Sequence, residues 1–408
     1  MSDPVATGPT RLIQRPLLGC VVLAILYFAF ARLALVLAFE QTNASPVWPP
    51  SGLALAALLL FGRRLWPGVA AGAFLANLVV FLENPQGSLT SIVAVSAAMA
   101  LGNTLEAGVG YHLLRRWLGE RPIFDRLPDV FTFCGVALLG CAVAASVGAA
   151  ALGLGGVIGW DLAGRVWFTW WLGDVTGMLV LTPLLVSWWP SLMPRAPGFR
   201  HVMERGLLQI AVLHAAGFSF LGWLHGESAN YPMAYLPLPF LCWVAFRCGP
   251  RDNSLAVLLT AVLATWGTVT GVGPFAGGNL DQALLMLQIF IGVISVTMMI
   301  LAAACMERAQ GAADIEQLNE NLEAQVENRT ATLRMEVTQR RQTERSLQHA
   351  LEQATAAGRI RDRLLMTRDP TDLPRFLKQD WLNELRALGV PAYSVSVQLP
   401  SAVSGCFI

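Results

Sequence analysis

From residue 17 to residue 305 the chain is a succession of apolar blocks parted by short polar or proline-bearing gaps. A helix that crosses a bilayer needs roughly 20 mainly apolar residues. Ten blocks meet or approach that length: 17–39, 46–62, 66–83, 91–114, 131–157, 165–189, 206–225, 231–248, 253–273 and 282–305. The second and third are short, squeezed between breaks.

Beyond Met306 the pattern changes to a long polar helix with a narrow apolar seam. The seam runs Ile315, Leu318, Leu322, Val326, Arg329, Leu333, Val337, in steps of 3, 4 and 4 repeated once. Eleven-residue repeats give a nearly straight or slightly right-handed pair of helices. From Val337 the seam continues through Arg340, Glu344, Leu347, Leu351 and Ala354, which is heptad spacing with two charged positions. A parallel dimeric coiled coil over 309–366 is expected, with a change of winding and a weakened middle. Val326, Arg329, Leu333, Val337, Arg340 and Glu344 are the positions at which two rotational packings would exchange, or at which a plain spacer would dimerise.

The pattern changes once more at 370–408. "DLPRFLKQDWLNELRALG" places Leu373, Phe376, Leu377, Trp381, Leu385 and Leu388 on one helical face and ends at Gly389. "AYSVSVQL" alternates like a half-buried strand. One helix and one strand cannot bury a core, so this segment reads as the incomplete start of a cytoplasmic domain. A truncated or frameshifted product is one reading of the ending. The fold class expected is an all-α membrane protein: a polytopic bundle of about ten transmembrane helices, then a cytoplasmic parallel coiled coil and a short α/β fragment.

Composition sharpens this picture. Hydrophobic residues make up 55% and charged residues 13% of the 408 positions. Residues 1–305 hold 28 of the 55 formal charges and the remaining 103 residues hold 27, so a lipid-soluble part precedes a water-soluble one. With the N-terminus inside, the inner loops carry thirteen arginines and the outer loops only Arg165, a strong positive-inside bias. Both termini are then cytoplasmic. The first block is too long for a signal-peptide core and is expected to stay as an anchor. Trp48, Trp66, Trp117, Trp160, Trp188 and Trp189 lie near span ends, where amphipathic rings are favoured. The seven cysteines form no CxxC pair and read as small buried apolar residues. No basic patch interleaved with aromatics points to nucleic acid.

The stretch "WPPSG" from Trp48 interrupts an apolar run with two prolines. Backbone freed by proline at membrane depth must find partners in neighbouring helices or in a wet cavity. The reading is either a plain helix cap or an outward-facing pocket lined by Asn43, Trp48, Pro49, Pro50 and Ser51. Polar groups within the blocks are the other candidates: Arg32, Asn103, Glu106 and Asp174. Arg32 is a candidate partner for Glu106 or Asp174, and Asn103 and Glu106, three apart, share a helix face. A structural buried pair and a ligand site both stand open.

No HExxH, GxSxG or GxGD pattern is present, and His112, His201, His214 and His225 are too scattered for a metal cluster. His349 lacks the context of a phosphoacceptor, and neither a nucleotide-binding glycine box nor a GGDEF-like signature occurs. No catalytic residue, cofactor or metal is expected. A transporter or channel with a coiled-coil stalk remains the alternative, since broken helices are common there.

Five pieces, in order, carry a resemblance: "NASPVWPPSGLALAALLLFGRRLWPGVAAGAFLANL", "LGNTLEAGVGYHLLRRW", "WWLGDVTGMLVLTPLL", "YPMAYLPLPFLCWVAFRCGPRDNSLAVLLTAVLATWGTVTGVGPF" and "LLMLQIFIGVISVTMMILAAACMER". Over residues 12–308 the chain resembles the bacterial membrane-associated sensor domain of type 1. "LEAQVENRTATLRMEV" looks like the signalling helix that often follows sensor domains, with Asn328 where an acid is usual. The segment after 370 is similar to the opening of a GAF-like domain. The resemblance implies an inner-membrane input module that passes a signal to a cytoplasmic histidine kinase or diguanylate cyclase. Trp48, Pro49, Asn103, Glu106, Trp171, Gly173 and Asp174 are the residues expected to form its sensory core. Its expected partners are the lipid bilayer, a second copy through the coil, and an unknown small ligand or membrane protein.

Overall fold

The computed structural model describes residues 16–36, 45–84, 88–189, 199–222, 233–276 and 279–366, together with Asn383 and Arg386. Nine α-helices lie among the described residues: α1 (Pro16–Val36), α2 (Pro49–Phe61), α3 (Trp66–Glu83), α4 (Leu89–Leu118), α5 (Leu127–Leu154), α6 (Trp160–Trp188), α7 (Phe199–Phe220), α8 (Leu238–Val269) and α9 (Leu280–Met366). Short 3₁₀ turns at Arg63–Leu65 and Met233–Tyr235 join them. No strand lies among the described residues, and the helix and strand expected after residue 370 fall outside them, Asn383 and Arg386 apart.

Among the described residues, seven helical segments are long and apolar enough to cross a membrane. Three differences separate this number from ten apolar blocks. The block 46–62 becomes α2, whose 13 residues reach only about 20 Å at 1.5 Å per residue, short of a hydrocarbon core about 30 Å thick. α7 spends its first turns on Arg200, Glu204 and Arg205, which lower its hydropathy. The blocks 231–248 and 253–273 form one run, α8, broken where Gly249 takes φ 75° and ψ −177° ahead of Pro250. That φ lies in the region open to glycine, and proline then opens a new helical run at its first position.

The bundle is built around α2. Every residue from Pro50 to Leu59 is buried, as expected of a helix apolar on all sides, and α1, α4 and α6 pack around it. Its prolines occupy the first positions, where a missing N–H costs nothing. Its backbone touches that of α6: a Cβ on Gly52 would lie 2.4 Å from the Gly177 carbonyl oxygen, and one on Gly177 would lie 2.0 Å from the Trp48 oxygen. Glycine is needed for such an approach. Thr182 reinforces the crossing by donating its hydroxyl to the Gly52 carbonyl at 3.1 Å.

The loops expected inside converge at one end. Arg115 at the end of α4 donates to the Leu59 carbonyl of α2 at 2.6 Å, Arg247 pairs with Glu204 at 2.7 Å, and Arg205 pairs with the buried Asp252 across the α7–α8 contact. Large apolar side chains such as Ile25, Leu139, Phe246 and Val293 cover the outside of the bundle, where lipid would take them. Trp66, Trp117 and Trp160 are also more than half exposed at helix ends, the positions of membrane-interface anchors.

In the second compact unit, which begins at Asp314, residues 314–366 are a stretch of α9. Ile315, Leu318, Leu322, Val326, Leu333, Val337, Leu347 and Leu351 are 48–71% exposed in the single chain.

Gly177→Ala is expected to lower the thermal stability of the purified protein by about 1–3 kcal/mol, because nothing but backbone lies in the way of the new methyl. Gly108→Ala, with nothing within 4 Å of its Cβ, is expected to be neutral or to gain up to about 1 kcal/mol from helix propensity. Equal melting temperatures for the two variants would refute the α2–α6 backbone contact.

Candidate functional site

The site begins at the non-helical residues ahead of α2. Ser45 to Trp48 run beside the middle of α6, and α6 supplies partners for their backbone. The Trp48 N–H donates to the Gly173 carbonyl at 3.0 Å. The Thr176 hydroxyl lies 3.2 Å from the Pro46 carbonyl and 2.9 Å from the Leu172 and Gly173 carbonyls of its own helix, and the Ser45 hydroxyl closes locally on the Val47 carbonyl at 2.6 Å. An unsatisfied backbone group in hydrocarbon costs several kcal/mol, so these contacts decide that the chain can be unwound here.

A cavity of about 240 Å³ lies between this segment and α3, α4, α5 and α6. Its polar lining is Ser45, Trp48, Asn77, Asn103, Trp170 and Asp174, and the rest is apolar, including Met99, Val80 and Ile158. The volume falls below the roughly 300–1,000 Å³ of drug-sized sites.

Behind the cavity lies a buried polar cluster. Asp174 is 8% and Glu106 1% exposed. The Ser51 hydroxyl donates to Asp174 Oδ1 at 3.2 Å and also lies within reach of Glu106. The Cys141 thiol donates to Glu106 Oε1 at 3.5 Å, while Glu106 Oε2 has no partner. The Tyr27 hydroxyl is buried beside Trp48 and Asn103, and no hydrogen bond of good geometry closes on it. The expected role of Arg32 is overturned: it pairs with Glu83 at 2.8 Å, both partly exposed. Arg32 stands near the end of α1, level with the last residue of α3, and so lies away from the buried acids.

Of the seven expected residues, Trp48, Asn103, Gly173 and Asp174 line the cavity. Glu106 sits behind it, and Pro49 opens α2. Trp171 faces elsewhere, donating its indole N–H to the Leu138 carbonyl at 2.9 Å and stacking at 5.8 Å on Trp167. Pro50 and Ser51 are buried in α2 and do not line the cavity, and Asn43 lies outside the described residues.

Three contributors were not singled out as site residues. Tyr27 and Cys141 carry no sequence signal that separates them from other small or aromatic residues in apolar runs. Gln288 does, being an amide within the apolar start of α9. It is 1% exposed, donates to the Thr169 carbonyl at 3.4 Å, and lies 3.5 Å from where a Cβ on Gly173 would stand. The same Cβ would meet the Ser45 carbonyl oxygen at 3.2 Å. One face of Gly173 thus looks toward both the unwound segment and α9.

A helical bundle with seven candidate spans among its described residues, a non-helical segment beside α6 and a small cavity is the architecture of a multi-pass membrane domain. The family model MASE1 matches residues 18–309, and the chain belongs to that family of membrane-associated sensor domains. The probable diguanylate cyclase DgcE of Escherichia coli (strain K12) is 29% identical over 262 residues, which are 62% of this chain and 21% of that protein. The chain therefore spans about a fifth of the length of this relative. No solved structure matches the chain.

Ser51→Ala removes the hydroxyl that serves the buried Asp174 and is expected to cost about 1–3 kcal/mol. Combined with Asp174→Asn it should cost less than the sum, with a coupling of about 1 kcal/mol. Additive losses in thermal or denaturant unfolding would contradict a shared cluster.

Proposed function

We propose that the chain is the input part of a membrane signal receptor. A small amphiphilic molecule enters the cavity from the outer face, and its occupancy is relayed through α9 to a cytoplasmic output of the diguanylate cyclase type. In this reading residues 12–308 are the sensor. Residues 309–366 form a parallel dimeric coil, and 370–408 begin a cytoplasmic domain. The protein sits in the bacterial inner membrane with the coil on its cytoplasmic side.

The observation that carries the proposal is that the Ser45 carbonyl and the Gln288 amide of α9 both stand beside the same face of Gly173. A guest that moves Trp48 or Asp174 displaces the backbone on which Gln288 rests, and α9 is continuous from there into the seam residues. Family membership supports an input role, and the name of the relative supports a cyclase as the output. The exposed seam supports self-pairing, because a row of leucines, isoleucine and valines at coil spacing gains most by burial against a second copy.

The test is a fusion of residues 1–366 to a diguanylate cyclase domain that needs dimer geometry for activity, assayed in membranes for cyclic di-GMP. Asp174→Asn and Gln288→Leu are each expected to change output at least about fivefold, roughly 1 kcal/mol of bias between two states, with insertion intact. Gly108→Ala should leave output unchanged. Equal output from all four proteins would defeat the relay.

A further inference from the structure

A second cavity, of about 460 Å³, opens at the opposite end of the bundle among the ends of α2, α4 and α6 and the break in α8. Its walls are mainly apolar, with Leu59, Leu60, Leu114, Leu118, Ile123 and Phe124 among them. Three arginines, Arg115, Arg121 and Arg251, and two acids, Glu120 and Asp125, line it as well. None of the three arginines forms an ion pair with a carboxylate among the described residues.

The guanidinium groups are tied to carbonyls and to a ring rather than to carboxylates. Arg115 donates to the Gly119 carbonyl at 3.1 Å and to the Leu59 carbonyl at 2.6 Å. Arg121 donates from Nε to the Leu118 carbonyl at 3.2 Å. Arg251 lies with its guanidinium 4.1 Å from the centre of the Trp188 ring, and its Nε is buried without an acceptor. A buried guanidinium N–H that lacks a partner is rare and marks a place for one. The break at Gly249 adds to this, because the helical run that starts at Pro250 presents first-turn N–H groups and the positive end of its dipole.

Most N–H donors of the three arginines remain unspent, and forked guanidinium groups match the tetrahedral oxygens of phosphate better than a point charge does. The apolar wall calls for a guest with a hydrocarbon part. We propose that this cavity binds a phosphate-bearing amphiphile, with the phosphate on Arg115, Arg121 and Arg251 and the apolar portion against the leucines. The phosphate comes either from an anionic phospholipid of the adjoining leaflet or from a soluble phosphate ester. The two acids oppose it, and half-burial already pushes the Asp125 carboxyl above its ordinary value.

The test uses the full chain in phosphatidylcholine nanodiscs, with thermal unfolding followed in two titrations. One titration replaces phosphatidylcholine with phosphatidylglycerol or cardiolipin, and the other adds glycerol 3-phosphate to the buffer. The wild type is expected to show a saturable rise in melting temperature in one of the two, and which one identifies the source. Arg251→Gln and Arg121→Gln should each move the midpoint about tenfold higher, and Asp125→Asn should lower it. Arg64→Gln, on the same end but outside the cavity, should leave it in place. Should Arg251→Gln unfold for want of its stacking on Trp188, Arg121→Gln decides the matter, since Arg121 is tied to the carbonyl of Leu118 nearby. The proposal is overturned by the absence of saturation in both titrations, by wild-type midpoints in the folded arginine variants, or by an equal shift in Arg64→Gln.

Discussion

The bond from the Trp48 N–H to the Gly173 carbonyl, 3.0 Å long, is the contact on which the rest of the sensor depends. It lies beside the centre of α6, the place in a membrane protein where an open backbone group is least affordable. An unwound segment there is allowed only if a neighbouring helix offers acceptors and donors at close range. α6 does so with the Gly173 carbonyl and the Thr176 hydroxyl, and it can do so only because Gly173 and Gly177 let the segment come within backbone contact. The cavity follows from the same arrangement, since a complete helix through residues 45–48 would fill the space beside Trp48 and Asp174.

Electrostatics separates structural charges from those that bear on a site. Arg32 with Glu83 and Arg247 with Glu204 sit at helix ends where water reaches them, and exposed pairs of this kind contribute about 0–1 kcal/mol. Glu106 and Asp174 are different in kind. They are buried together, their partners are a hydroxyl and a thiol, and no arginine among the described residues joins them. Replacing such groups with apolar ones would spare the bundle a desolvation cost of several kcal/mol. Their presence is therefore hard to explain by stability alone.

Much of this was legible in the sequence. The apolar blocks gave the helices because spans are set by length and hydropathy, and "WPPSG" revealed the break because proline at membrane depth has few solutions. Asp174 and Asn103 stood out as polar groups where polarity is costly. The partner of Arg32 was misjudged because a lone sequence fixes the height of a residue within a span but not the direction it faces. α2 looked like a short span, since hydropathy does not distinguish a helix that crosses lipid from one wrapped by other helices. Cys141 and Tyr27 were invisible for the same reason: their neighbours across the bundle come from distant parts of the chain. Gln288 was visible in principle, an amide amid leucines and isoleucines, and its meaning came only from its seat over Gly173.

The central claim is that the state of the cavity moves α9. The direct measurement is the distance between spin labels on Arg340→Cys in the assembled protein, made in an otherwise cysteine-free background. It would be compared with protein whose cavity carries a bulky group, installed through Asn103→Phe. The account predicts that filling the cavity shifts or redistributes the distance across the coil. Superimposable distance distributions with the cavity open and filled would show that Gly173 and Gln288 transmit nothing, and would reduce the contact between them to packing.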